Sequence, residues 1–85
     1  AHLDYARALA LQGKNEQAAA EYEKLARVYP GEEARCRYAV LLNEMGQREK
    51  AQSLFRAIVE AVKSSPSYVR RRQREWLKIA QQNLN

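Results

Sequence analysis

Cysteine and histidine each occur once in this chain of 85 residues, as Cys36 and His2. A single thiol cannot close an internal disulfide, and neither residue has the companions that a thiolate or imidazole metal cage requires. Glycine occurs three times and proline twice, and all five stand where helices can end. No apolar run approaches the roughly 18 residues that mark a membrane span. A signal-peptide pattern and an initiator methionine are also missing, so the chain reads as a domain cut from a longer protein. Nor is there a Gly-rich phosphate loop, a Ser/His/Asp set, or a carboxylate pair with a reason to have split pKa values. Neither catalysis nor a bound cofactor is expected.

Helix-forming sequence fills the space these absences leave. Apolar residues make up 46% of the chain, and many are alanine, the strongest helix former. Mean hydropathy is nevertheless −0.70, because long charged side chains are interleaved among them. The class is all-α. The net charge of +5 is unevenly spread. Residues 1–32 carry four Lys/Arg against five Asp/Glu, and residues 33–63 carry six against four. Residues 64–85 carry five against one, so the basic character belongs mostly to the last segment.

The chain also repeats itself. With Gly13 aligned on Gly46, Tyr5-Ala6 falls on Tyr38-Ala39, Leu9 on Leu42, Ala18 on Ala51, Tyr22 on Phe55 and Leu25 on Ile58. Self-similarity at one fixed offset of this length marks stacked helical hairpins. In each copy a helix runs into a glycine, which takes the left-handed cap conformation cheaply, and a second helix returns antiparallel. Ala6, Ala18, Ala39 and Ala51 are small where helices of a pair would meet, while Tyr22 and Phe55 are large where the next hairpin would be met. That division favours an open stack over a closed bundle.

These residues resemble tetratricopeptide repeats. The family pattern has a small residue on the first helix, Gly at the turn, then Ala, an aromatic, and Pro at the end. Ala6, Gly13, Ala18, Tyr22 and Pro30 match it, as do Ala39, Gly46, Ala51 and Phe55. The second copy departs at its end, where Lys63 stands in place of proline and Pro66 follows three residues later. His2 and Arg35 also stand where the family has a bulky aromatic. The resemblance implies an α-solenoid fragment with a right-handed stack: repeat one over about 1–31, repeat two over about 32–64, and a capping helix over about 65–85. The segments "YPGEEARCRYAVLL" and "RRRQREWLKIA" are further similar to the C-terminal part of bacterial tetratricopeptide proteins. That similarity implies further repeats upstream and a parent tethered to the inner membrane, with this domain on the cytoplasmic side. It implies no activity.

The helices are expected at about 2–12, 15–29, 32–45, 48–63 and 66–84. Ser65 and Pro66 suit the N-cap and first position of the fifth. Glu32 and Glu33 suit the positive start of the third. Val69, Gln73, Trp76, Ala80 and Leu84 form one seam along the fifth helix, which is expected to pack on the last hairpin and close that end. The opposite end, before the first helix, would expose apolar surface. A homodimer through that end, or a monomer with a frayed first helix, follows.

The family's partners lie against the first helix of each repeat, which implies an interaction scaffold holding a protein or peptide on its concave face. By register that face holds Leu3, Asp4, Arg7, Ala10 and Leu11 from copy one, and Glu33, Cys36, Arg37, Val40, Asn43 and Glu44 from copy two. Leu3, Arg7, Leu11, Arg37, Val40 and Asn43 are the expected contact residues, with Leu3 and Leu11 on the floor. A solvated helical face is the plain alternative for any one of them. A clamp for a C-terminal carboxylate is disfavoured, since Asp4, Glu33 and Glu44 offset Arg7, Arg37 and Asn43.

A second surface lies in "VRRRQREW". Arg70 and Arg74 stand four apart with Lys78 continuing the face, Arg71 and Glu75 are spaced as an ion pair, and Arg72 lies nearer the seam. Arg70, Arg71, Arg74 and Lys78 could hold the phosphates of a nucleic acid or an anionic membrane. A net +5 is a modest field and no aromatic stacking platform accompanies the stripe, so nucleic acid is disfavoured, and a solvated face whose stems shield the seam is the plain alternative. Arg35 and Arg37 flank Cys36 and would favour its thiolate, though a small packing residue is the simpler reading. Tyr5, Tyr22, Tyr29, Tyr38 and Tyr68 are expected to pack with hydroxyls at the rim. Glu21, Glu23 and Glu32 fall on polar faces without a metal-binding pattern.

Overall fold

The computed structural model describes residues 2–84. They form α1 (His2–Leu11), α2 (Asn15–Val28), α3 (Glu33–Glu44), α4 (Arg48–Lys63), α5 (Ser67–Arg72) and α6 (Arg74–Asn83), with no strand. Each helix packs on the next along the chain through α4, and α6 packs on α4 while also touching α3. The described residues are thus two antiparallel hairpins and a closing segment. No helix among them is long and apolar enough to cross a membrane.

Both hairpin turns use the same device. Gly13 has φ of 80° and Gly46 of 88°, the left-handed region that costs an L side chain free energy. Around Gly13, Lys14 N–H donates to Leu9 C=O at 2.9 Å and Gly13 N–H to Ala10 C=O at 3.0 Å. Around Gly46, Gln47 N–H donates to Leu42 C=O at 2.9 Å and Gly46 N–H to Asn43 C=O at 3.2 Å. Each set is a Schellman motif, which satisfies carbonyls that the ending helix leaves without partners. The second helix can then reverse direction at once.

Between the helices, Ala6, Ala18, Ala39 and Ala51 are all completely buried, and so are Phe55 and Ile58, with Tyr22, Leu25, Leu9 and Leu42 nearly so. The matched positions of the repeat make up most of the core, and Ala34, Cys36, Leu41, Val62 and Ala80 complete it. One pair breaks the symmetry: Tyr38 is 5% exposed, whereas Tyr5 is 55% exposed. Tyr38 lies where α3 meets α2, and its hydroxyl donates to Glu23 Oε2 at 3.0 Å. Lys50 of α4 sits 5.5 Å from the Tyr38 ring centroid and 4.0 Å from the Glu23 carboxylate, so Tyr38 links three helices. No described helix stands before α1 to do the same for Tyr5. The expectation that all five tyrosines pack therefore fails at Tyr5, and again at Tyr68, which is 60% exposed on α5.

Two details of the fifth helix also differ from expectation. It is interrupted at Gln73, which leaves helical geometry with φ −98° and ψ 11° and divides α5 from α6. Ser65 does not cap it: its hydroxyl turns back to donate to the Ala61 carbonyl of α4 at 2.7 Å. The Pro66 carbonyl instead accepts from Val69 and Arg70 N–H, at 3.0 and 3.1 Å, and starts the helix.

Gly46→Ala is expected to lower stability by about 1 kcal/mol, all of it from backbone strain, because a Cβ there would meet no atom within 4 Å. Urea unfolding checks this: the midpoint should fall while the slope stays constant.

Candidate functional site

First and second helices alternate through the stack, so α1, α3 and α6 come to lie along one side. They enclose an open groove of about 430 Å³. Ala10, Leu11, Val40 and Leu41 supply apolar surface, and the buried Tyr22 and Cys36 lie at its base. Trp76 and Ile79 of α6 form a third wall. Arg7, Arg37, Glu44 and Asn83 supply the polar groups. Leu11 is 85% exposed, an aliphatic side chain offered to whatever enters.

The sequence-expected residues divide. Arg7, Leu11, Arg37 and Val40 line this groove together with Ala10, Cys36 and Glu44. Leu3 does not; it is half-buried and packs inward on the core. Asn43 borders a separate recess beside Arg48, Gln52 and Asn83. The residues that the register could not reach are Trp76, Ile79 and Asn83. A seam on the fifth helix was legible, but α6 was read only as an end cap. In an alternating stack the helix after a second helix occupies a first-helix place, and that rule was the available signal.

The two groove arginines differ in their freedom. Arg37 Nε donates to Glu33 Oε2 at 3.0 Å, and its guanidinium lies 5.2 Å from the Trp76 ring centroid. It therefore reaches from α3 to α6 through the cation–π contact, while the ion pair within α3 holds the guanidinium from the other side. Arg7 is exposed and forms no ion pair with another described residue.

Three polar contacts hold α6 as a wall. Glu32 N–H donates to Gln73 Oε1 at 2.9 Å, so the amide at the α5–α6 break caps the start of α3. The same amide covers Gly31 so closely that a Cβ there would stand 3.0 Å from Gln73 Nε2. Cys36 Sγ donates weakly to the Trp76 carbonyl at 3.8 Å, and Gln52 Nε2 donates to the Asn83 carbonyl at 2.6 Å. Gln73 was expected only as a seam member; in the structure it is the latch.

Burial also decides the chemistry of Cys36. The thiol is pushed up to about 11, chiefly by desolvation, which outweighs the opposing charge of Arg37. The simpler reading of Cys36, a small packing residue, is the one that its burial supports, and the thiolate that its flanking arginines would favour is not. Among the described residues no group of three or more His, Cys, Asp or Glu is gathered for a metal.

On the opposite side of the fifth helix, Arg70, Arg71, Arg72, Arg74 and Lys78 are all exposed. None pairs with another described residue. The expected Arg71–Glu75 pair is not formed, because the break at Gln73 falls between them and spoils the i,i+4 geometry. The face shared by Arg70 and Arg74 is interrupted at the same point.

Gln73→Ala should leave the Glu32 N–H without its cap and cost about 1 kcal/mol, while Gln73→Glu, which still offers an acceptor, should lose little. Fluorescence of Trp76, the single tryptophan, should shift in the first variant and not in the second. The Cys36 thiol should resist alkylating reagents until the chain unfolds. Because its folded pKa lies above the ordinary value of 9.0, its contribution to stability is complete below pH 9 and is lost as pH rises through about 11. Denaturation midpoints of Cys36→Ser and the parent chain across that window would show the difference.

The tetratricopeptide repeat family model matches residues 1–31 and 33–65. No curated protein and no solved structure gives a match. The two matched segments coincide with the two hairpins, joined at the α2–α3 turn and ending just past α4. Paired capping glycines, buried alanines and one aromatic per copy are the features that the match and the structure share. This chain belongs to the tetratricopeptide repeat family, a family of non-enzymatic scaffolds for protein–protein interaction.

Proposed function

We propose that the chain holds a segment of a partner protein, extended or helical, in the groove between α1, α3 and α6. The observation that carries this reading is the groove's chemistry: apolar walls from Leu11, Val40, Trp76 and Ile79, edged by Arg7, Arg37 and Glu44. Apolar side chains of a bound segment lose water against those walls, and the edge groups orient it. Arg7 is the group best placed to take a carboxylate from the partner, since Arg37 already answers Glu33 and Trp76. A clamp for a terminal carboxylate needs several free cations together, and the groove holds one. No reacting group is involved; the role is binding alone.

Retention of partner proteins from native lysate on the immobilised domain, with and without nuclease, tests this. Val40→Glu, which places a carboxylate on the apolar wall, should reduce retention at least about tenfold, equivalent to the roughly 1.4 kcal/mol that one decade requires. Arg7→Ala with Arg37→Ala should do the same for nuclease-resistant partners, with the far-ultraviolet circular dichroism unchanged. Partners that bind all three forms of the domain equally would remove the groove from the account.

A further inference from the structure

The end of the stack where α2 stops, α3 starts and α5 departs has a character of its own. The hydrogen bond from Glu32 N–H to Gln73 Oε1 sets the start of α3 against the α5–α6 break. Two large apolar side chains are left open at this end, Val28 at 75% and Tyr68 at 60% exposure. Helix α5 has six residues and no buried one, and its last turn is Arg70, Arg71 and Arg72. Successive residues on a helix stand about 100° apart, so these three guanidiniums fan over more than half the circumference. They cannot all lie along the seam and shield it, which is the ordinary use of arginine stems. Arg74 and Lys78 extend the positive surface along α6, and Glu75 is the one acidic residue from 64 to 85.

We infer that α5 and the start of α6 form a docking surface for an anionic lipid bilayer. The arginines meet headgroup phosphates, and Tyr68 and Val28 enter the interfacial layer beside them. Three observations select this occupant. The cations lie on the outside of a terminal helix and line none of the recesses described above, so an extended anionic surface fits them better than a threaded single strand. Tyrosine among arginines suits the boundary between water and acyl chains. Val28 decides between the two anionic surfaces: a bilayer gives an exposed aliphatic group somewhere apolar to go, whereas a phosphate backbone gives it nothing. The surface lies apart from the groove, so one partner segment and one membrane could be held at once.

Flotation with vesicles tests the assignment on the 85-residue chain itself. Vesicles of phosphatidylcholine mixed with phosphatidylglycerol should retain it at low salt, and phosphatidylcholine alone should not. Each basic residue near such a surface multiplies binding roughly fivefold, so Arg70→Ala/Arg71→Ala/Arg72→Ala should lower the partition coefficient by about a hundredfold. The matching triple lysine variant should retain most of it. Val28→Ser with Tyr68→Ser should weaken binding further than salt alone does, and the groove variant Val40→Glu should bind vesicles as the parent chain does. Since α5 buries no residue, the arginine variants should keep the parent's helical circular dichroism. Equal binding to both vesicle types, an alanine triple variant that binds like the parent, or a duplex oligonucleotide that binds while anionic vesicles do not would each overturn the inference.

Discussion

The stack depends on how closely its helices can approach at Ala6, Ala18, Ala39 and Ala51. All four are without solvent exposure. A larger side chain at these positions would separate the helices and strand the aromatic residues that lie between hairpins. With the helices close, Tyr22 and Phe55 can fill the space between one layer and the next. The cost of ordering a short chain is then offset by burial that no single hairpin could achieve. Ala80, equally buried on α6, carries the same arrangement into the closing segment.

A stack made this way has two unlike ends. At the α1 end, Tyr5 occupies the register position of Tyr38 and is exposed, with no described helix over it. At the other end, α6 packs on α4 as the first helix of a further repeat would, and α5 stands clear of the core. The difference comes from the extra length of the second copy. Helix α4 runs to Lys63, past the point where Tyr29 and Pro30 end the first copy, and Pro66 then sets the new direction. Gln73 corrects the path by breaking the helix and anchoring it to the start of α3.

The polar side chains of this molecule are used for packing and for its surface. Several polar contacts among the described residues tie helix to helix: Arg37 to the Trp76 ring, Tyr38 to Glu23, Gln52 to the Asn83 carbonyl. Among the described residues, no buried side-chain nitrogen or oxygen lacks a partner. Among the described cations that form no ion pair with another described residue are Arg7 at the groove edge and those of α5 and α6. These are groups available to a partner without loss of an internal contact.

Much of this could be read from the chain before folding was considered. The offset between Gly13 and Gly46 determined two hairpins, their turns and most of the core, because helical periodicity and left-handed glycine caps are local properties. Arg7, Leu11, Arg37 and Val40 followed from register alone, being equivalent faces of equivalent helices. Leu3 and Asn43 did not, since a position within a repeat says which helix face a residue takes and not how far a groove extends. Trp76, Ile79 and the latch at Gln73 needed the tertiary structure. Their partners lie some forty residues away on α3, and the kink that aims them depends on a hydrogen bond between segments. The sequence by itself determined the repeating unit; only the packing of the unmatched last segment decided where the third wall stands, because no local rule governs a helix that falls outside the repeat.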